Sequence, residues 1–181
     1  MNRLPEANAI IYCEGSFNTT NGKTAHGLVR RTARYRILSV IDSRYQGQDA
    51  GKVLDGAPKS IPIFENLEKA YQYASSSGKR PTHLVVGLAP DGGRLSNAAR
   101  DDLKSAIKMR LNIDCGLHDF LTEDPDMVSL AKHYSVTLRD IRKTPSRKDL
   151  HFFSGKIEDV SCLKIALLGT DSAIGKRTTA L

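Results

Sequence analysis

The sequence predicts an α/β fold: a doubly wound, mostly parallel sheet over residues from about 8 to 142, with helices on both faces. Three observations predict it. Short apolar runs rich in β-branched residues alternate with segments whose apolar residues recur at helical spacing. The strands end in glycine-bearing or acidic loops, as βα units require. And the last nineteen residues, Leu163–Leu181, read strand, glycine loop, lysine, helix start.

Ala9–Cys13 is the first strand, followed by a loop through Gly22 and a helix over Lys23–Arg31. Arg36–Asp42 is the second strand and ends in an acid. Asp42 lies 20 residues after Gly22, where a dinucleotide-binding fold keeps a ribose-binding acid. No Gly-x-Gly-x-x-Gly accompanies it, so the pattern is Rossmann-like without that fingerprint. Residues 47–60 read as irregular, and Ile61–Phe64 as a short extended piece. Asn66–Ala74 is an amphipathic helix, and Thr82–Gly87 a strand. Ala89–Arg94 is a glycine turn at a strand's carboxyl end, where open α/β sheets bind ligands. Ser96 is an N-cap for a helix over Asn97–Arg110. Asn112–Gly116 is a strand, Pro125–Tyr134 a helix with acids near its start, and Val136–Arg142 the last strand of this region.

The C-terminal stretch has its own chemistry. Ile165–Leu168 reads as a buried parallel strand. Gly169 and Gly175 bracket a loop, and Lys176, Arg177, Thr178 and Thr179 begin a helix. Small residues let backbone N–H groups face an anion, the helix adds the positive end of its dipole, and lysine adds a charge. The spacing departs from G-x-x-x-x-G-K-[ST]: five residues, Thr170 to Ile174, separate the glycines, and Arg177 stands where a magnesium-binding hydroxyl belongs. Thr178 comes one position, about 100°, too late to replace it. An arginine there suits a metal-free anion, because it supplies charge and donors directly.

The expected organisation is therefore a Rossmann-like domain over 1–145, a polar linker over 146–160, and over 161–181 the first strand and P-loop of a truncated P-loop NTPase-like domain. By itself the 181-residue chain is expected to show no turnover. The net charge is +7, but the basic residues are scattered apart from Arg30–Arg36 and Arg142–Lys148. The first cluster falls at a helix end and the second in the linker. With no Trp, and without aromatic residues interleaved with the charge as a base-stacking surface would want, a small anionic ligand is the expected partner rather than nucleic acid. No apolar run approaches the roughly 20 residues of a membrane helix, and the start has no signal-peptide pattern, so a cytoplasmic location is expected. Cys13, Cys115 and Cys162 form no metal pattern and read as buried thiols; no metal site is expected.

Several stretches occur in a specific order: Thr24-Ala-His-Gly-Leu28, Val40-Ile-Asp42, Val86-Gly-Leu-Ala-Pro-Asp-Gly-Gly93, Gly116-Leu-His-Asp-Phe-Leu121, Asp140-Ile-Arg-Lys143 and Gly169-Thr-Asp-x-x-x-Gly-Lys-Arg-Thr-Thr179. Together they resemble a family long known only as a domain of unknown function, with a Rossmann-like N-terminal half and a P-loop C-terminal half. Its characterised members are D-glutamate N-acetyltransferases. The resemblance implies acetyl transfer from acetyl-CoA to an amino acid, and a homo-oligomer for the full-length protein. The alternatives are an ATP-binding kinase or ligase that uses Mg²⁺, and a non-catalytic nucleotide-binding module. An amine acceptor needs a base to remove its ammonium proton; His118 and then Asp171 are the candidates. Gly169, Thr170, Asp171, Gly175, Lys176, Arg177 and Thr178 are the candidate cofactor-binding residues. Gly92, Gly93 and Arg94 are the candidates for the substrate, Arg94 as a bidentate carboxylate ligand.

Overall fold

The computed structural model describes residues 7–170 and Thr179. They fall in two compact units, Met1–Thr144 and Pro145–Leu181.

Six strands build the first unit: β1 (Ala7–Tyr12), β2 (Tyr35–Ile41), β3 (Ile63–Phe64), β4 (His83–Val86), β5 (Asn112–Cys115) and β6 (Leu138–Asp140). Between them run α1 (Lys23–Arg30), α2 (Ala50–Asp55), α3 (Leu67–Ser76), α4 (Asn97–Lys108) and α5 (Pro125–Tyr134). All neighbouring strands pair parallel, in the order β3-β2-β1-β4-β5-β6. This is the Rossmann strand order, and the fold is Rossmann-like α/β as its alternation predicts.

Alternation along each strand sends side chains to opposite faces. Ile10 and Tyr12 of β1 join Leu84, Val86, Ile113 and Cys115 against α3, α4 and α5, where Leu67, Leu103, Ile107 and Met127 are buried. Ile11 turns the other way and packs with Phe17, Ala25, Val29 and Ile63 under α1 and α2. Burying each such Leu, Ile or Phe side chain is worth roughly 1.5–3 kcal/mol. The helix starts are set by side-chain caps. Asn66 accepts from Lys69 N, Ser96 from Ala99 N, and Asp124 from Asp126 N and Met127 N. Each such cap contributes about 1 kcal/mol.

The structure corrects three readings. Residues 47–60 are not irregular throughout, for they contain α2. Asp49 explains it: one carboxylate oxygen accepts from Lys52 N and Lys59 N, the other from Ile61 N. Gly56 then closes the helix with φ +72°, its N–H returning to Lys52 O. One aspartate thus starts the helix and fastens the loop that follows it, while glycine supplies the left-handed stop. Ile165–Leu168 is not a buried strand in this structure: Ile165 is 77% and Leu168 89% exposed, and no strand occurs among the described residues of the second unit. A parallel strand takes its ladder and its burial from neighbours on both sides, and the described residues provide none for this run. The exposed apolar residues of the unit also include Phe152, Phe153 and Leu163. Finally, Cys162 is exposed, whereas Cys13 and Cys115 are buried as expected. Among the described residues no helix is long and apolar enough to cross a membrane.

Burial pushes the Cys13 thiol up to about 12 and the Cys115 thiol up to about 11. Since the thiolate is the nucleophile, titration of the native chain with a thiol-specific chromogenic disulfide should show one fast group, Cys162. The other two should appear only on adding denaturant. Three fast groups would contradict the buried placement of Cys13 and Cys115.

Candidate functional site

The chain runs outward from β1 to β3, then crosses back to place β4 on the other side of β1. At this reversal the loops after β1 and β4 diverge to opposite faces and leave a crevice at the carboxyl ends of the strands. Its inner end is tightly built. Gly87, just past β4, donates its N–H to Tyr12 O (2.8 Å) and accepts from Ala25 N (3.2 Å). A side chain at Gly87 would run into Ile11 and Ala25, so glycine lets α1 sit directly on the strand ends.

Two hollows open here. The first, about 390 Å³, is lined by Thr24 at the start of α1, the turn Ala89–Gly93, Gly116, Leu117, His118 and Arg142. Gly92 and Gly93 both have positive φ, +76° and +64°. A Cβ on Gly93 would meet the His118 ring at 2.9 Å, and Gly93 O accepts from His118 N at 3.1 Å. The ring therefore lies close beside the turn. Arg142 Nη1 approaches its Nε2 at 3.0 Å. A guanidinium can only donate, so Nε2 accepts and the proton of the neutral ring rests on Nδ1.

The second hollow, about 700 Å³, shares His118 and is otherwise lined mostly by charged residues from Arg94 through α4 and from Asp119 into α5, with Leu95 and Phe120 between them. Three of its charges already serve the fold. Arg100 bridges Asp119 (2.6 Å) and Asp124, and Asp119 also accepts from Leu95 N. This network ties α4 to the start of α5. Asp119 thus takes its hydrogen-bond donors from Arg100 and Leu95, although it adjoins His118 in sequence.

The predicted site residues thus divide. His118, Gly92 and Gly93 come together in the first hollow. Arg94 lies next to them in sequence but lines the second hollow; it is exposed and makes no hydrogen bond or ion pair among the described residues. Gly169 and Thr170 are exposed in the second unit. Asp171, Gly175, Lys176, Arg177 and Thr178 lie outside the described residues. Sequence reasoning missed Arg142 and Thr24 as lining residues. Both stood in quoted motifs, and Arg142 lies two residues past the end of β6, the usual position for a ligand-facing side chain in such sheets.

Asp42 is also clarified. It is fully buried at the end of β2. One oxygen accepts from Arg44 N and Nε, the other from Phe17 N (2.7 Å) and Arg44 Nη2 (2.8 Å). Burial alone would raise its carboxyl, but these donors together outweigh burial and hold it below the usual range. Its oxygens are committed to fixing the β1–α1 loop, and none is left for a ribose.

Fold and crevice define a Rossmann-like α/β domain with an open cleft at its topological switch point. Residues 43–144, more than half of the chain, match the family described as a domain of unknown function, DUF1611_N, a Rossmann-like domain; the chain belongs to this family. It is 32% identical over 114 residues to a D-glutamate N-acetyltransferase of Tritonibacter scottomollicae, covering 63% of this chain and 32% of that protein. It is 36% identical over 98 residues to a D-glutamate N-acetyltransferase of a Pseudoalteromonas species, covering 54% and 28%. The chain thus spans about a third of the length of the curated relatives it matches. The crystal structure of a DUF1611 family protein from Anabaena variabilis superposes with a TM-score of 0.80 at 31% identity, over 98% of this chain and 48% of that one.

Proposed function

We propose that the chain is the N-terminal part of an acetyltransferase that moves an acetyl group from acetyl-CoA to the amino group of D-glutamate or a similar amino acid. The observation that carries this reading is the 32–36% identity to two proteins of that name. The cleft at the switch point supports it with a cation and a glycine turn of the kind an acidic acceptor uses. In the reaction the amine nitrogen bonds to the acetyl carbon, the carbon–sulfur bond breaks, and the thiolate of CoA leaves. A base takes the ammonium proton. Asp171 and His118 are the candidates, and His118 could serve only if its contact with Arg142 opened. The loop Gly169–Thr178 would take the phosphates of CoA, with Lys176 and Arg177 as the charged donors.

The test is D-glutamate-dependent release of CoA thiol from acetyl-CoA by the complete gene product. Turnover is expected without Mg²⁺. Lys176→Ala should weaken CoA binding by roughly 1.5–3 kcal/mol, the range for a charged hydrogen bond, and Arg177→Ala should weaken it equally with EDTA present. Absence of acetyl transfer together with Mg²⁺-dependent ATP turnover would replace this reading with the kinase or ligase alternative.

A further inference from the structure

We propose that Arg142 is the carboxylate-binding residue of the cleft and that His118 is a positioning residue which holds its guanidinium in place. The identification of the carboxylate as that of an amino-acid acceptor rests on the function proposed above; the placement of the site does not.

Four arginines of this domain set one side of the comparison; Arg94, exposed in the neighbouring hollow and without a carboxylate partner among the described residues, belongs with Arg142 on the other. Arg30, Arg44, Arg100 and Arg139 each pair with a carboxylate of the fold, on Asp55, Asp42, Asp119 with Asp124, and Asp114. Arg142 instead places one N–H on the Nε2 lone pair of an uncharged ring, and it has no carboxylate partner among the described residues. Four of its five donors, and its whole charge, remain for another group. A planar guanidinium matches a carboxylate with two parallel hydrogen bonds. The surroundings suit that ligand. Among the described residues Asp91 is the one acid lining the hollow, and it is exposed to water, which screens its charge. Thr24 contributes a residue with a hydroxyl from the first turn of α1. The paired left-handed glycines, Gly92 and Gly93, line the hollow without adding side chains of their own.

His118 is anchored at its backbone by the N–H bond to Gly93 O, and its exposed ring lies beside Gly93. The ring so placed offers Nε2 to Arg142, and Arg142, otherwise a long exposed side chain, acquires a preferred position. The cost of ordering it is met before ligand arrives, which raises affinity. This gives the histidine a role that needs a hydrogen-bond acceptor and no proton transfer.

The experiment is calorimetric titration of D-glutamate, and separately of inorganic phosphate, into the chain and four variants. D-glutamate should bind. Arg142→Ala and Arg142→Lys should each weaken it more than tenfold, since an ammonium cannot reproduce the fork. His118→Ala should weaken it several-fold. His118→Gln, whose amide oxygen can still accept from Arg142, should restore most of the loss, and in the complete gene product it should keep acetyl transfer. Both side chains are exposed, and unchanged thermal midpoints would show that the variants fold. Undiminished binding in Arg142→Ala, or binding of phosphate but not of D-glutamate, would overturn the site. A His118→Gln protein that binds D-glutamate normally but has lost transfer would overturn the positioning role in favour of a base. Loss of D-glutamate binding in Arg142→Ala without acetyl transfer by any form would retain the site and remove the acetyltransferase reading. Transfer with a wild-type KM for D-glutamate in the Arg142 variants would do the reverse.

Discussion

Asp42→Ala should lower the unfolding free energy by about 2–4 kcal/mol, measured by urea denaturation with an unchanged m-value. The carboxylate is fully buried and is the acceptor for the buried Phe17 N–H. Removing it leaves that donor without a partner, and an unsatisfied buried donor costs about 1–3 kcal/mol. The remainder comes from Arg44, whose side chain is 40% exposed and can return to water, so its share is the smaller. The loss propagates along the loop. Phe17 is itself buried, packs edge-on to His26 of α1 at 6.0 Å between ring centres, and its carbonyl contacts the His26 ring. A freed Phe17 would therefore shift the start of α1, and Thr24 with it, so the cleft should lose ligand affinity as well. Asp42→Asn is the discriminating control. Its amide oxygen can still accept from Phe17 N but gives up the charge, and it should cost less than half as much. The carboxyl is held low, so its contribution is present above the ordinary carboxylate range and is lost as pH falls through the folded-state value. The gap between wild type and Asp42→Ala should accordingly narrow in acid. An alanine variant as stable as wild type would mean that the loop is fixed by packing alone.

The doubly wound sheet was legible because its signals are local and repeated. Runs such as Ile37–Ile41 and Leu84–Val86 can hardly be anything but buried strands once helices with good caps stand between them. Ser96, Asn66 and Pro125 marked helix starts within a residue. What failed was equally physical. The helix α2 has six residues, one of them glycine, and is too short for periodicity to show. It exists because Asp49 reaches Lys59 and Ile61, ten and twelve residues on. The strand at Ile165–Leu168 was read from apolarity alone, yet apolarity says that a segment prefers burial, not that a neighbour is present to bury it. In the cleft, His118 and the glycine pair were legible from their place at strand ends. The partner of His118 was not. Asp119 adjoined it in sequence, whereas Arg142, 24 residues away, came to it through the pairing of β5 with β6. Asp42 shows the converse error: its distance from Gly22 fitted a ribose ligand, and only the structure reveals the N–H of Phe17 on its oxygen.

Asp114→Ala should be about as costly, roughly 2–4 kcal/mol: it leaves the Tyr35 hydroxyl without its acceptor, while Arg139, whose side chain is 34% exposed, can partly return to water. Asp114 lies in β5, buried on the sheet face that α1 and α2 cover only in part. Arg139 of β6 donates to both its oxygens, at 2.8 and 2.6 Å, and Tyr35 at the start of β2 donates its hydroxyl. Arg139 also donates to the Tyr35 oxygen at 2.8 Å, which closes a triangle. Tyr35 reaches Asp114 across β1 and β4 because Ala7 and Ala9 are small; the three pack together with Val85. A ring and a guanidinium thus lie over strands where a helix would otherwise lie, and removing their shared acceptor releases both. The triangle also has a pH signature. Burial, and then the hydrogen bond to Asp114, push the Tyr35 phenol up to about 12, against about 10 in an unfolded chain. The folded state therefore holds this proton more tightly than the unfolded one. The stability it contributes is complete below about pH 10 and is lost as pH rises through about 12. Cys13, Cys115 and Tyr12 also lose stability in alkali, because their groups are raised too, but they do so equally in a Tyr35→Phe protein. The difference between wild type and Tyr35→Phe isolates the triangle. It should be about 1 kcal/mol at pH 8 and should shrink towards zero between pH 10 and 12. Equilibrium denaturation of both proteins across that range measures it, and a difference that stays constant with pH would show that the tyrosine acts by packing and not by its proton.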